Sequence, residues 1–136
     1  MSAPVPLTLG SEAAVEVLST CLRDFGAVHF RVTGGCMEPR LREGQEVVVS
    51  ARRRPRWGDV VLVRQANGLR LHRLVARPLF SAAGHWRTQG DRLPGLDAPL
   101  AARDVLGTVV DPPSRSRMRA LRALAAAAWR RVGARA

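Results

Sequence analysis

Hydrophobic positions along this chain change period several times, and each change marks an expected element. Ala14, Val15, Leu18, Leu22 and Phe25 recur at helical spacing, with Ser11 placed to cap the helix and Gly26 to stop it. Beyond Gly26 the period becomes two: Val28, Phe30 and Val32 share one face, and His29, Arg31 and Thr33 the other. That strand delivers the chain to Gly34. Further strands are expected at residues 46–50 and 59–64, separated by an arginine-rich solvated loop at 52–56. Asn67-Gly68 is a hairpin signal between VVLVR and LRLHRLV, because both central positions of the favoured turn need positive φ. Alternation then puts His72 on a strand face with Arg70 and Leu74, opposite Leu69, Leu71 and Val75. Strand-like runs at 85–89 and 105–110 flank a turn-rich surface loop, GDRLPGLDAP. From Ser114 the pattern is helical again, with Met118, Leu121, Ala125, Ala128 and Val132 as the apolar stripe beside Arg115, Arg119, Arg122 and Arg130.

Many short strands between two helices predict a mainly β fold: a coiled, partly closed antiparallel sheet system with an N-terminal helix and a C-terminal amphipathic helix. The 136 residues fit one domain with a tail, divided as 1–26 (N-terminal segment and helix), 27–112 (β domain) and 113–136 (basic helical tail). A hydrophobic share of 46% with moderate charge describes a folded chain rather than a disordered one.

The net charge of +11 is unevenly placed, since seven arginines follow Pro113 in a stretch without a single acid. No zinc-finger or RNA-binding signature accompanies them, so nucleic acid is not the expected partner. Three roles remain open for the basic helix: docking on the domain, lying on an anionic membrane surface, or binding a protein. The apolar runs are too short to span a bilayer. The first residues lack the basic and apolar regions of a secretory signal, which makes the cytoplasm the expected compartment, with peripheral membrane contact left open.

The candidate chemistry lies in GGCMEP, residues 34–39. Two glycines before Cys36 and a Met-Glu-Pro turn after it put a thiol on open backbone, which attack on a carbonyl requires. The chain contains no lysine, and its 22 basic residues are all arginine, which stays protonated. A base for the thiol is therefore histidine or, failing that, a carboxylate. His72, held on a strand, is the candidate; His29 and His85 match no motif. Cys21 lies beside the helical stripe and reads as a small core hydrophobe. The three histidines and two cysteines lack zinc-ligand spacing, and no metal or other cofactor is expected.

Taken in order, GGCMEPRLREGQEVVV, RWGDVVLVRQANGLRLHRLV, TQGDRLPGLDAPL and VLGTVV resemble the characteristic boxes of the signal peptidase I and LexA-type repressor peptidase superfamily, over roughly residues 28–110. The His72-Arg73 pair resembles the histidine-type members. The main departure is Cys36, where the family carries a serine nucleophile; Gly44-Gln45 replaces the usual Gly-Asp. The resemblance implies that Cys36 is the nucleophile and His72 its base, with Asp91 of the Gly-Asp box or Asp97 beyond it orienting the imidazole and Arg73 in support. It also implies that backbone N–H groups around Cys36 form the oxyanion hole. Gly34, Gly35, Met37 and Pro39 would then border an extended polypeptide substrate. The expected function is an endopeptidase that processes a leader or precursor polypeptide. The alternative is a peptide-binding module of the same fold that has lost turnover through the serine-to-cysteine change.

Overall fold

The structure, a computed structural model, describes residues 12–65, 68–77, 85–113 and 115–133. The N-terminal stripe forms helix α1 (Glu12–Phe25), which buries Val15, Leu18 and Leu22. Cys21 packs half-buried against the same core, as its place beside the stripe requires. Gly26 stops the helix at φ +79°, its N–H donating to the Leu22 carbonyl at 2.9 Å, a left-handed conformation that a side chain would strain. The expected cap, Ser11, lies outside the described residues.

Six strands follow among the described residues: β1 (Ala27–Arg31), β2 (Glu46–Ser50), β3 (Val60–Gln65), β4 (Gly68–Ala76), β5 (Arg87–Gln89) and β6 (Val105–Asp111). They form one open antiparallel sheet in the order β1-β2-β6-β3-β4-β5. The sheet has apolar clusters on both sides. Phe30, Val47, Val49, Leu62, Leu69 and Leu71 pack with α1, while Val61, Val63 and Leu74 pack with Trp86 and Leu100. Burial on both faces explains why β3 reads as an unbroken apolar run.

Two strand expectations need correction. Gln65 pairs with Gly68, so Gly68 belongs to β4 and not to the turn, while Asn67 lies outside the described residues. A shift of two residues leaves every side chain on its original face, so the hydrophobic pattern cannot separate these registers. The run at 85–89 is also shorter than expected: Trp86 makes an isolated bridge to Leu100, and the ladder begins at Arg87.

Helix α2 (Arg117–Gly133) packs against β4, so docking describes the tail. The side it packs with is not the apolar stripe of Met118, Leu121, Ala125 and Ala128. Ala120 is buried and Ala123, Leu124 and Ala127 are half-buried, whereas Met118, Leu121, Ala125 and Ala128 face solvent. The anchor fixes the rotation. Ser116 N–H donates to Gly58 O and Arg115 Nε to Asp59 Oδ1, both at 2.9 Å, and small alanines let the helix approach the sheet closely.

Gly58 is the tightest point of this dock. Its φ is +90°, and a Cβ there would lie 2.9 Å from the Ser116 carbonyl oxygen. Gly58→Ala should therefore destabilise the protein by roughly 1–3 kcal/mol in denaturant unfolding. A neutral substitution would show that α2 is not seated on this backbone.

Candidate active site

Cys36 lies in the connection between β1 and β2. Gly34 turns the chain at φ +75° with open space around its α-carbon. The next turn closes through Glu38 N–H to Gly35 O at 3.1 Å and Leu41 N–H to Met37 O at 3.0 Å. Met37 and Leu41, both buried, pin it to the core. The turn also leans on the chain after β5: Arg92 N–H donates to the Cys36 carbonyl at 2.9 Å, and Asp91 N–H points at Met37 Sδ from 3.4 Å. Because β5 ends at Gln89, opposite Arg73, His72 lies just past the ladder. There the loop at 90–97, instead of another strand, is its neighbour.

His72 is buried, and its Nδ1 is hydrogen-bonded to Asp97 Oδ2. Asp97 is itself held from several sides. Thr88 Oγ1 donates to Oδ2 at 2.7 Å, Asp97 N–H donates to Thr88 O at 2.8 Å, and Arg87 Nε donates to the Asp97 carbonyl at 3.1 Å. With Nδ1 occupied, the chemistry of the ring is left to Nε2, which is buried and makes no aligned hydrogen bond among the described residues. The Cys36 thiol points at the carbonyl of Leu71, the residue before His72, at 3.9 Å. Burial opposes charge on the imidazole, but the Asp97 bond and the adjacent Cys36 sulfur outweigh it and raise the His72 pKa to about 9.

The two candidate orienting acids separate cleanly. Asp91 does not meet His72; both its oxygens are taken by Arg73, with Nε to Oδ1 at 2.8 Å and Nη2 to Oδ2 at 2.7 Å. Strand alternation is the reason, since adjacent residues of β4 point to opposite faces. Arg73 also donates to Gly58 O at 2.8 Å. Arg73 and Asp91 thus form a strut behind the thiol turn, outside the Cys36, His72 and Asp97 group.

A cleft of about 300 Å³ opens beside Cys36 and His72, walled by Phe30, Val32, Met37, Leu69, Leu71 and Leu93, with Thr33 and Arg70 also lining it. β1 and β4 are far apart in the strand order, so a shared cleft means that the sheet curls. Of the residues expected to border substrate, Met37 lines this cleft; Gly34, Gly35 and Pro39 shape the turn outside its lining. The backbone N–H groups of Cys36 and Met37 make no hydrogen bond among the described residues, which leaves them available to an oxyanion. Thr88 opens the TQGDRLPGLDAPL box but was not singled out as part of the site. Phe30, Val32, Leu69 and Leu71 carried only a strand-face signal. Among the described residues no group of three His, Cys, Asp or Glu is placed to hold a metal ion. Comparisons with family models, curated proteins and solved structures give no match.

The raised pKa fixes the sign of a stability effect. The folded protein keeps the His72 proton up to about 9, while an unfolded chain releases it near 6.5. The added stability is complete below 6.5, declines across that window and is lost as pH passes about 9. Unfolding free energy should fall over this interval by at most about 3 kcal/mol from this group, and Asp97→Asn should flatten the decline. A wild-type profile without that decline would refute the charged pair.

Proposed function

We propose that this chain is a small cysteine endopeptidase acting on extended polypeptide, in which Cys36 is the nucleophile, His72 the acid–base group and Asp97 the residue that orients it. One observation carries the reading. A thiol turn, a strand and a loop, distant in sequence, converge so that an imidazole bonded to a carboxylate through Nδ1 lies beside a sulfur and an apolar cleft. The ordered resemblance to the signal peptidase I and LexA-type superfamily supports the same assignment, as does an open, curled antiparallel sheet flanked by two helices.

In the reactive form Cys36 is the thiolate and His72 the imidazolium, and sulfur attacks the substrate carbonyl carbon. The carbonyl electrons move onto oxygen, and the Cys36 and Met37 N–H groups donate hydrogen bonds to the oxyanion so formed. As the tetrahedral species collapses, His72 returns the proton to the departing amine nitrogen, leaving a thioester. His72 then takes a proton from water, hydroxide adds to the thioester, and the acid product departs as the thiolate–imidazolium pair is restored. An imidazolium beside the sulfur suits this chemistry, because a thiolate–imidazolium pair is already the reactive form. The substrate backbone lies along the cleft, whose apolar wall accepts uncharged side chains.

A second reading has its own support. The sulfur is aimed at the Leu71 carbonyl and Nε2 has no aligned partner, an arrangement that a peptide-binding module without turnover would also show. Cleavage of candidate precursor peptides separates the two. For a peptidase, Cys36→Ala should abolish cleavage, His72→Gln should lower kcat by roughly 100-fold or more, and iodoacetamide should alkylate Cys36 well before Cys21. Because the protonated imidazole is needed at amine departure, kcat/KM should fall as pH rises through about 9, and Asp97→Asn should move that limb to lower pH. Peptide binding that survives Cys36→Ala, with no cleavage by the wild type, would establish the binding module instead.

A further inference from the structure

The docked helix α2 has two apolar sides, and the sheet uses only one. Its outward side carries Met118, Leu121, Ala125 and Trp129 at helical spacing, and the three large residues are 63%, 58% and 78% exposed. Arg117, Arg122 and Arg130, also exposed, lie among and beside them. No acid occurs after Asp111 in the chain. A large apolar side chain left in water on a helix that already has a packing face needs a reason, and three on one side form a patch.

We propose that this outward side of α2 adsorbs to an anionic lipid surface, with Met118, Leu121 and Trp129 entering the interface and the flanking arginines pairing with lipid headgroups. The composition argues for lipid. Apolar residues ringed by arginine match a surface that is oily below and negatively charged above, and tryptophan favours that boundary. A second copy of the chain fits poorly, because it would bring like arginines together on a protein of net charge +11. The helix lies on the membrane and does not cross it: among the described residues none is long and apolar enough to do so. This inference stands apart from the peptidase reading and needs no substrate to test.

Flotation of the full chain with vesicles provides the test. The wild type should bind vesicles of phosphatidylcholine with about 30 mol% phosphatidylglycerol, bind pure phosphatidylcholine far less, and lose binding as salt rises. The double substitution Leu121→Glu and Trp129→Glu, at exposed positions where thermal unfolding should not change, should lower partitioning by roughly tenfold or more. Trp129→Phe should still bind, while losing the fluorescence quenching that brominated acyl chains impose on the wild type. Failure to bind anionic vesicles at low salt would overturn the proposal, as would unchanged binding of the double variant, which would assign adsorption to the other arginines. A lipid-free dimer dissolved by the double substitution would assign the face to a second copy and overturn it too.

Discussion

A guanidinium taken out of water is tolerated only when its donors are met, and Arg73 meets them in a way that organises the whole molecule. Its side chain and that of Asp91 are almost fully buried, and the pair is bidentate. The remaining arm of Arg73 reaches Gly58, which seats the start of α2, while the Asp91 backbone touches Met37 behind the thiol. One ion pair therefore ties β4, the Gly90 turn, the Cys36 turn and the approach to β3. Replacing such a pair by apolar residues of similar shape need not cost stability, but removing one partner leaves the other buried and unpaired. Its value here is in specifying where the turns meet, since none of them carries a ladder of its own.

On the opposite side of the same strand, His72 faces a contest between burial and charge. Desolvation favours the neutral ring, and Asp97 with Cys36 reverses that preference. The reversal depends on Asp97 being immobile, which its bonds to Thr88 and Arg87 secure. A carboxylate free to turn toward solvent would lose much of its hold on the imidazole. Adjacent residues of β4 thus divide the work: Arg73 binds the loop in place and His72 uses what the loop presents.

Several of these features were legible in the chain. Period changes, strand propensity and turn signals located both helices and the strands among the described residues, Gly26 marked a true helix stop, and the thiol and histidine stood out by residue type and context. What stayed hidden depended on choices between arrangements of equal local merit. Asp91 and Asp97 both follow turn residues, and only strand alternation decides which meets His72. The hairpin register could slip by two residues without moving a side chain across the sheet. For α2, the apolar stripe left the role of the helix open, because a close helix–sheet approach is set by alanine and by the hydrogen bonds at Gly58 and Asp59. Thr88 stood in a strand-like run and opened the TQGDRLPGLDAPL box, but neither signal pointed to Asp97. It matters only because tertiary pairing brings Asp97 beside it.

The orientation of α2 is worth weighing by strength of contact. Arg119 reaches Asp91 at 3.5 Å, but the arginine is partly exposed, and such a pair contributes little. The N-terminal anchor is firmer. Asp59 is fully buried and receives Arg115 as well as the Arg56 backbone N–H, while Ser116 is bonded to Gly58. Charge-assisted bonds to a buried carboxylate exceed a screened contact at the helix flank, so the anchor, rather than the Arg119 link, sets which side of α2 points outward. The apolar outer face consequently follows from the way the helix begins and does not depend on the state of the thiol site.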